Sequence, residues 1–214
     1  MLTSLNDIES IVFDLDGTLY VCPEIADEIR SATETLVAET RGVSLKKARK
    51  LLCNARSRLT EVLEEEPTLT RTCIELGIEV PELHRNMQEQ VHPERYLESD
   101  PILYALLDSL RTSYGLYLYT NNNFSLTRKI LSLLGVEDLF VRQYTIEFTW
   151  RPKPDAESFH RVMEDIGGPP ESFLFVGDRH QVDLKTAEAI GIPTLLIDEP
   201  EDLVQIHRVL GLIP

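Results

Sequence analysis

Five short runs rich in β-branched and aromatic residues, separated by segments of helical periodicity, constrain the fold of this chain more than any other feature. The runs lie at residues 10–13, 115–120, 139–146, 172–177 and 194–198. Helical patterns follow at 124–134, 155–166 and 182–190. Each of these is followed by a glycine (Gly135, Gly167 or Gly191), where a left-handed residue commonly ends a helix. This alternation predicts an α/β fold, a doubly wound parallel sheet covered by helices on both faces.

One interval interrupts the alternation with helical patterns alone. Within it, apolar residues recur at three- and four-residue steps at Leu45, Ala48, Leu52, Ala55, Leu59 and Val62. This spacing predicts an amphipathic helix that begins after Ser44 and ends before Pro67. Further helices are predicted at about 24–39, 68–76, 81–91 and 101–110. We therefore expect residues 21–97 to form a helical insert in an α/β core of residues 1–20 and 98–214, with a cleft where the two meet.

Polar side chains follow three of the predicted strands at the point where each strand ends. They are Asp14, Asp16 and Thr18, with Gly17 in the same segment, then Thr120 and Asn121, and then Asp178 and Asp183. Lys153 lies between two prolines just before a predicted helix. Singly, these residues also fit turns, helix caps and a solvated lysine. Because the carboxyl ends of parallel strands share one edge of the sheet, where ligands bind, their order favours a common site.

The residue types at this edge suit phosphoryl transfer. Clustered carboxylates are typical ligands of Mg²⁺, which also binds phosphate oxygens. A carboxylate can act as the nucleophile and form an aspartyl-phosphate. A lysine, a hydroxyl and backbone N–H groups would stabilise the charge of the phosphoryl group. The sequence therefore predicts Mg²⁺ as the cofactor and a small phosphorylated metabolite as the substrate.

The overall charge and the cysteine content exclude several other classes of protein. The net charge is -15, from 21 basic and 36 acidic residues, which argues against a nucleic-acid polymer or an anionic membrane as a partner. Three cysteines without metal-ligand spacing predict neither a disulfide framework nor a zinc site. The sequence shows no signal-peptide pattern and no run of membrane-spanning length. We expect a soluble, cytoplasmic protein, and the sequence does not indicate its oligomeric state.

The motifs at this edge resemble, in order, those of the haloacid dehalogenase-like (HAD) hydrolase superfamily. They are "DLDGT" at 14–18, "TN" at 120–121, Lys153 within "RPKP" and "GDRHQVD" at 177–183. The resemblance covers nearly the whole chain. It implies a phosphatase with a Rossmann-like core, and it implies that the helical insert is the family's first type of cap, which closes over the site and selects the substrate.

The resemblance also implies a role for each motif residue. Asp14 matches the nucleophile, which is also a metal ligand. Asp16 matches the acid and base, whose backbone carbonyl binds the metal. The remaining matches are Thr120 and Lys153, which hold the phosphoryl group, Asp178 as a further metal ligand, and Asp183 in support of it. Asn121, beside Thr120, is a candidate for substrate binding.

Several branches of the superfamily stay open as alternatives. Asp16 argues against dehalogenases, which lack this aspartate, and against phosphonate-cleaving members, which have alanine there; sugar phosphomutases retain it. "FDLDGTLY" and "LYLYTNN" are most similar to the pyrimidine 5′-nucleotidase-like branch, although that branch often has asparagine in place of Gly17. The phosphoglycolate-phosphatase-like branch is the nearest alternative. We predict a nucleoside 5′-monophosphate as substrate, with phosphoglycolate or a sugar phosphate as the alternative. A non-catalytic phosphate-binding scaffold is the non-enzyme alternative.

Basic residues concentrate at 41–58 in this otherwise acidic chain. Arg49 and Arg56 are seven residues apart, so they project within about 20° of each other on a helix. Their stems could cover apolar surface on a solvated face. Alternatively, their guanidinium groups could recognise an anionic or planar part of the substrate. Both are therefore candidates for substrate binding.

Overall fold

The computed structural model describes residues 7–212 of the chain and divides it into two compact units. The core unit comprises the described residues up to Val21 and from Leu97 onward, and the helical unit is Cys22–Tyr96. The assignment of residues 1–6, 213 and 214 to the core lies outside the described residues. The cleft and the closing cap stay predictions.

Four helices form the helical unit: α1 (Pro23–Arg41), α2 (Leu45–Leu63), α3 (Leu69–Glu75) and α4 (Val80–Gln90). The Ser44 hydroxyl accepts a hydrogen bond from the backbone N–H of Lys47 and so caps α2, as predicted. Helix α2 packs against α1, and its fully buried residues are Ala48 and Ala55. The larger Val62 of the predicted apolar stripe is exposed. Small side chains therefore form the buried face of α2.

A five-stranded parallel sheet forms the centre of the core unit. Its strands are β1 (Ser10–Phe13), β2 (Gly115–Tyr119), β3 (Arg142–Tyr144), β4 (Phe173–Gly177) and β5 (Thr194–Leu196). Their order is β3-β2-β1-β4-β5, and all neighbouring pairs are parallel. Every residue of the central strand β1 is buried. The predicted α/β fold is confirmed, and the carboxyl ends of β1, β2 and β4 are adjacent.

The other helices of the core unit are α5 (Pro101–Arg111), α6 (Phe124–Leu134), α7 (Ala156–Ile166), α8 (Lys185–Ala189) and α9 (Gln205–Val209). Two predicted boundaries were wrong. Only three residues of the predicted strand at 139–146 pair in the sheet, because 3₁₀ turns flank them on both sides. The predicted helix at 182–190 is shorter, and a π-helical turn at His180–Leu184 precedes it. Within residues 7–212, every helix is too short or too polar to cross a bilayer.

Candidate active site

A cavity of about 100 Å³ lies in the core unit at the carboxyl ends of β1, β2 and β4. Its lining residues are Asp14, Asp16, Thr120, Asn121, Lys153, Asp178, Arg179, Val182 and Asp183. The seven residues of the sheet edge to which the motifs assign a role are among them, whereas Gly17 and Thr18 of the first turn are not. The cavity therefore brings together, from segments far apart in the chain, the carboxylates, the lysine and the hydroxyl that the motifs contain.

The turn after β1 depends on Gly17. Its backbone has a φ of 97°, in the region that disfavours residues with a side chain. A Cβ atom at this position would also lie 2.7 Å from the Asp178 carboxyl carbon. The absence of a side chain thus lets Asp178 approach the turn that carries Asp14 and Asp16.

The Lys153 ammonium group contacts three acceptors in this cavity. Its Nζ donates to Asp14 Oδ1 at 2.6 Å, to Asp183 Oδ1 at 2.7 Å and to the Tyr119 carbonyl at 2.8 Å. Asn121 holds the Lys153 backbone, because its Oδ1 accepts from the Lys153 N–H at 2.7 Å and its Nδ2 lies 3.4 Å from the Lys153 carbonyl. Asn121 therefore positions Lys153, and its contact with the substrate stays a prediction.

Three carboxylates form the group that could hold a metal ion. Oxygens of Asp14, Asp178 and Asp183 lie within 4.8 Å of one another. One ammonium group, that of Lys153, contacts two of them, so the negative charge is in excess. A hard divalent cation with oxygen ligands would offset that excess, and the donor set therefore fits Mg²⁺. The Asp16 side chain is outside this group, and metal binding by its backbone carbonyl stays a prediction.

Burial changes the protonation behaviour of these groups. It raises the pKa of Asp14 to about 8; the Lys153 ammonium opposes the rise, and the Asp183 and Asp16 carboxylates add to it. Burial also raises the pKa values of Asp16 and Asp178. For Lys153, burial alone would lower the pKa, but Asp14 and Asp183 raise it above its ordinary value. Lys153 thus stays charged, whereas metal binding must displace protons from the carboxyl groups.

Two residues that sequence reasoning missed hold Asp16. The Tyr20 hydroxyl donates to Asp16 Oδ1 at 2.5 Å, and Asn122 Nδ2 donates to Oδ2 at 3.3 Å. The Asn122 backbone N–H also donates to Thr120 Oγ1 at 3.0 Å, which leaves the Thr120 hydroxyl proton available for a further acceptor. Both missed residues adjoin the motifs, so their position in the sequence was the available signal.

The two candidate arginines lie in the helical unit and make ion pairs there. Arg49 Nε contacts Glu34 Oε2 at 2.6 Å, and Arg56 pairs with Glu66. Both arginine side chains are more than half exposed. Their charges are therefore engaged within the helical unit, and their role in substrate binding stays a prediction.

Comparison with known proteins decides the family. The family model of the haloacid dehalogenase-like hydrolases matches residues 8–191, which include every candidate residue above. The chain belongs to this family. Among its relatives, the phosphoglycolate phosphatase of Cereibacter sphaeroides is 28% identical over 208 residues, which cover 92% of this chain and 88% of that protein. The predicted superfamily and the predicted enzyme class, a phosphatase, are confirmed.

Solved structures of this HAD family share the fold. The HAD phosphatase of Thermococcus onnurineus has a TM-score of 0.63 at 21% identity, covering 95% of this chain and 98% of that one. The 2-haloacid dehalogenase of Pseudomonas syringae pv. Tomato DC3000 has a TM-score of 0.60 at 20% identity, with coverages of 95% and 98%. At such identities the similarity concerns the fold, which serves more than one chemistry.

Proposed function

We propose that this HAD phosphatase is a Mg²⁺-dependent phosphomonoesterase that acts through an aspartyl-phosphate on Asp14. The observation that supports this best is the charge arrangement in the cavity. Asp14 lies 2.6 Å from the Lys153 ammonium and within 4.8 Å of the Asp178 and Asp183 carboxylates. A nucleophile, a positive group for the phosphoryl oxygens and ligands for a cation thus lie within a few ångströms.

The reaction proceeds in two displacements. In the first, a carboxylate oxygen of Asp14 bonds to phosphorus, the bond from phosphorus to the ester oxygen breaks, and Asp16 gives its proton to the leaving oxygen. In the second, a water oxygen attacks the phosphoryl group on Asp14, and Asp16 takes the proton of that water. The bond from phosphorus to Asp14 breaks, inorganic phosphate leaves, and both aspartates return to their starting states.

The other residues of the cavity stabilise the phosphoryl group. The Lys153 ammonium and the Thr120 hydroxyl supply positive charge and a hydrogen-bond donor, and Asn121 keeps Lys153 in place. A divalent cation held by Asp14, Asp178 and the Asp16 carbonyl, with Asp183 in support, would add positive charge beside the phosphoryl oxygens.

Two substrate classes have specific support. The similarity over 92% of the chain to a phosphoglycolate phosphatase favours phosphoglycolate or another small anionic ester. The "FDLDGTLY" and "LYLYTNN" motifs favour a nucleoside 5′-monophosphate, with pyrimidine ahead of purine. The steric requirement for Gly17 departs from the asparagine common in the nucleotidase-like branch, so we place phosphoglycolate first and UMP or CMP second.

The test is a comparison of kcat/KM for phosphoglycolate, UMP, CMP, AMP and glucose 6-phosphate with Mg²⁺. We expect turnover with Mg²⁺ and none in excess EDTA, while Ca²⁺, which accepts looser coordination, should support turnover poorly. Full activity in EDTA would contradict the metal site. No turnover of these esters or of p-nitrophenyl phosphate would favour a phosphate-binding scaffold.

The same comparison with Arg49→Ala and Arg56→Ala tests the candidate arginines. A change in the ranking of substrates would support substrate recognition by the helical unit. If the ranking of substrates is unchanged in both variants, the arginines do not recognise the substrate, and their role is the ion pairs with Glu34 and Glu66.

A further inference from the structure

Asp16 has the most demanding task in the proposed reaction, since it must first give and then take a proton. We infer that Tyr20 is a positioning residue for both proton transfers, with Asn122 as a second donor; this inference rests on the proposed function. The Tyr20 hydroxyl donates to Asp16 Oδ1, and Asn122 Nδ2 donates to Asp16 Oδ2 at 3.3 Å. Each oxygen of the carboxyl group is therefore held by a neutral donor.

The turn after β1 fixes the direction from which Tyr20 approaches. The Gly17 N–H donates to the Tyr20 carbonyl at 3.0 Å, and the Leu19 N–H donates to the Leu15 carbonyl at 2.9 Å. Asp16 and Tyr20 also form an isolated parallel bridge. Tyr20 is only 7% exposed. Because the Tyr20 ring is buried and the backbone hydrogen bonds of the turn fix its position, the Tyr20 hydroxyl reaches Asp16 in one orientation.

The hydrogen bonds from Tyr20 and Asn122 restrict rotation of the Asp16 carboxyl group about its terminal torsion. The terminal torsion of an aspartate is broad, so an unsupported carboxyl group samples many orientations. Proton transfer needs the acid within hydrogen-bond reach of the leaving oxygen, and later of the water. Because each carboxyl oxygen has two acceptor sites, bonds from Tyr20 and Asn122 leave room for the transferred proton. Tyr20 thus acts on the reaction through Asp16.

Tyr20 offers the cleaner test of the two donors. The side-chain Oδ1 of Asn122 also accepts from the Asn123 N–H at 2.8 Å, and the Asn122 backbone carbonyl accepts from the Ile146 N–H at 3.0 Å. Replacing Asn122 would therefore disturb its loop, whereas Tyr20→Phe removes one hydroxyl and keeps the ring. Tyr144→Phe is the matched control. Tyr144 is also buried, and its hydroxyl donates to a different carboxylate, Asp165, at 2.7 Å.

The experiment compares an ester with a poor leaving group and one with a good leaving group. For the best alkyl ester of the substrate panel, we expect Tyr20→Phe to lower kcat/KM roughly 10- to 100-fold, since misplaced catalytic groups lose rate on this scale. For p-nitrophenyl phosphate, whose leaving group needs little protonation, kcat/KM should change by less than about threefold. With this ester, kcat and KM should fall together as hydrolysis of the phosphoenzyme slows. Mg²⁺ affinity from thermal shift should be unchanged, and Tyr144→Phe should resemble wild type in every measurement.

A double-mutant cycle separates action through Asp16 from any other effect. If Tyr20 acts through Asp16, Tyr20→Phe should have no further effect on the alkyl ester in an Asp16→Asn background. Additive losses, or an equal loss of kcat/KM for both esters, would overturn the inference, as would Tyr20→Phe behaving like Tyr144→Phe. If Tyr20→Phe melts early, the same measurements at a temperature where the variant is fully folded must give this leaving-group pattern, or the inference fails. A wild-type protein without turnover would overturn the proposed function itself. This inference alone would be overturned if the enzyme is active and Asp16→Asn shows the leaving-group dependence, but Tyr20→Phe has the same kinetics as wild type.

Discussion

Asp14 and Asp16 lie two residues apart in one turn, yet their partners differ. Asp14 contacts the Lys153 ammonium, whereas the carboxylate of Asp16 accepts from the neutral donors Tyr20 and Asn122. Burial raises the pKa of both carboxyl groups, but direct contact with a positive group distinguishes Asp14. Different surroundings of paired carboxyl groups commonly separate their roles, which supports the proposal that Asp14 is the nucleophile and Asp16 the proton carrier.

The two proposed roles predict different effects when each aspartate is replaced by asparagine. Asp14→Asn removes the nucleophile, so we expect no phosphoenzyme and only background activity. Asp16→Asn retains the nucleophile and loses proton transfer, so kcat/KM for alkyl esters should fall about 10²- to 10⁴-fold. Phosphoenzyme should then accumulate, because water is no longer activated. Acid quenching with labelled substrate measures both outcomes. Labelling of Asp14→Asn to the wild-type level would show that the roles are assigned wrongly.

Gly17 gives a second prediction for a single residue. In Gly17→Ala the new methyl group would meet the Asp178 carboxylate, so that carboxylate must move from its position in the cluster. We expect weaker Mg²⁺ binding by thermal shift and a loss of activity on the order of 100-fold, as for other displaced catalytic groups.

The control for this variant is Gly191→Ala. Gly191 also has a positive φ, 83°, but a Cβ there would have no neighbour within 4 Å. Backbone strain alone should then lower the free energy of unfolding by about 1–2 kcal/mol and leave turnover intact. Equal losses of activity in both variants would indicate that strain, and not the contact with Asp178, explains Gly17→Ala.

At the level of elements, α2 shows how pattern and packing can differ. The apolar period correctly predicts the helix, but Ala48 and Ala55 are its fully buried residues, while Leu45 and Val62 are exposed. Periodicity identifies a face, whereas the depth of each residue depends on how closely the neighbouring helix approaches. Arg49, which is more than half exposed, adds an ion pair to the buried carboxylate of Glu34 in α1.

This packing predicts sensitivity to size within α2. Ala55→Leu adds volume at a site with no exposed surface, so the free energy of unfolding should fall by about 1–3 kcal/mol. Ser57→Leu places the same side chain at an exposed position of α2 and should change it by less than about 0.5 kcal/mol. Urea denaturation of both variants makes the comparison. If Ala55→Leu were as stable as Ser57→Leu, the α2 interface would be more tolerant than its burial indicates.

The excess of carboxylates at the cavity makes the stability of the whole molecule depend on pH. The pKa of Asp14 is raised from 3.8 to about 8, and those of Asp16 and Asp178 are raised as well. At pH values between the ordinary and the raised pKa of these carboxyl groups, the folded, metal-free protein holds more protons than the unfolded chain. Its stability from these groups therefore decreases as pH rises through this window. A Mg²⁺ ion bound by the cluster would replace the protons as the source of positive charge.

We therefore expect the melting temperature in EDTA to be lower at pH 8 than at pH 6. Mg²⁺ should raise it at both values, and by more at pH 8, where fewer protons compete for the carboxylates. Differential scanning calorimetry with and without Mg²⁺ measures this, and Asp178→Asn should reduce the increment. An increment that is equal at the two pH values would contradict proton displacement from the cluster.

The local pattern of the sequence was sufficient for the α/β fold, for the helices of residues 23–90 and for the motif residues that line the cavity. These features depend on periodicity and on turn chemistry, which neighbouring residues determine. The topological rule for parallel sheets then placed the ends of β1, β2 and β4 at one edge. The predicted strand at 139–146 was longer than β3, because pairing with the neighbouring strand, and not β propensity, determines where β3 begins and ends.

Tertiary structure alone decided which groups touch. The bond from Lys153 to Asp14 joins residues 139 positions apart, and the bond from Asn122 to Asp16 joins residues 106 apart. The need for glycine at position 17 likewise depends on Asp178, far along the chain. Such contacts depend on how closely distant segments pack against one another, and local pattern carries no information about that packing. The chemistry of the motifs was therefore readable in the sequence, whereas the partners that orient Asp16 and Lys153 became visible only in the folded chain.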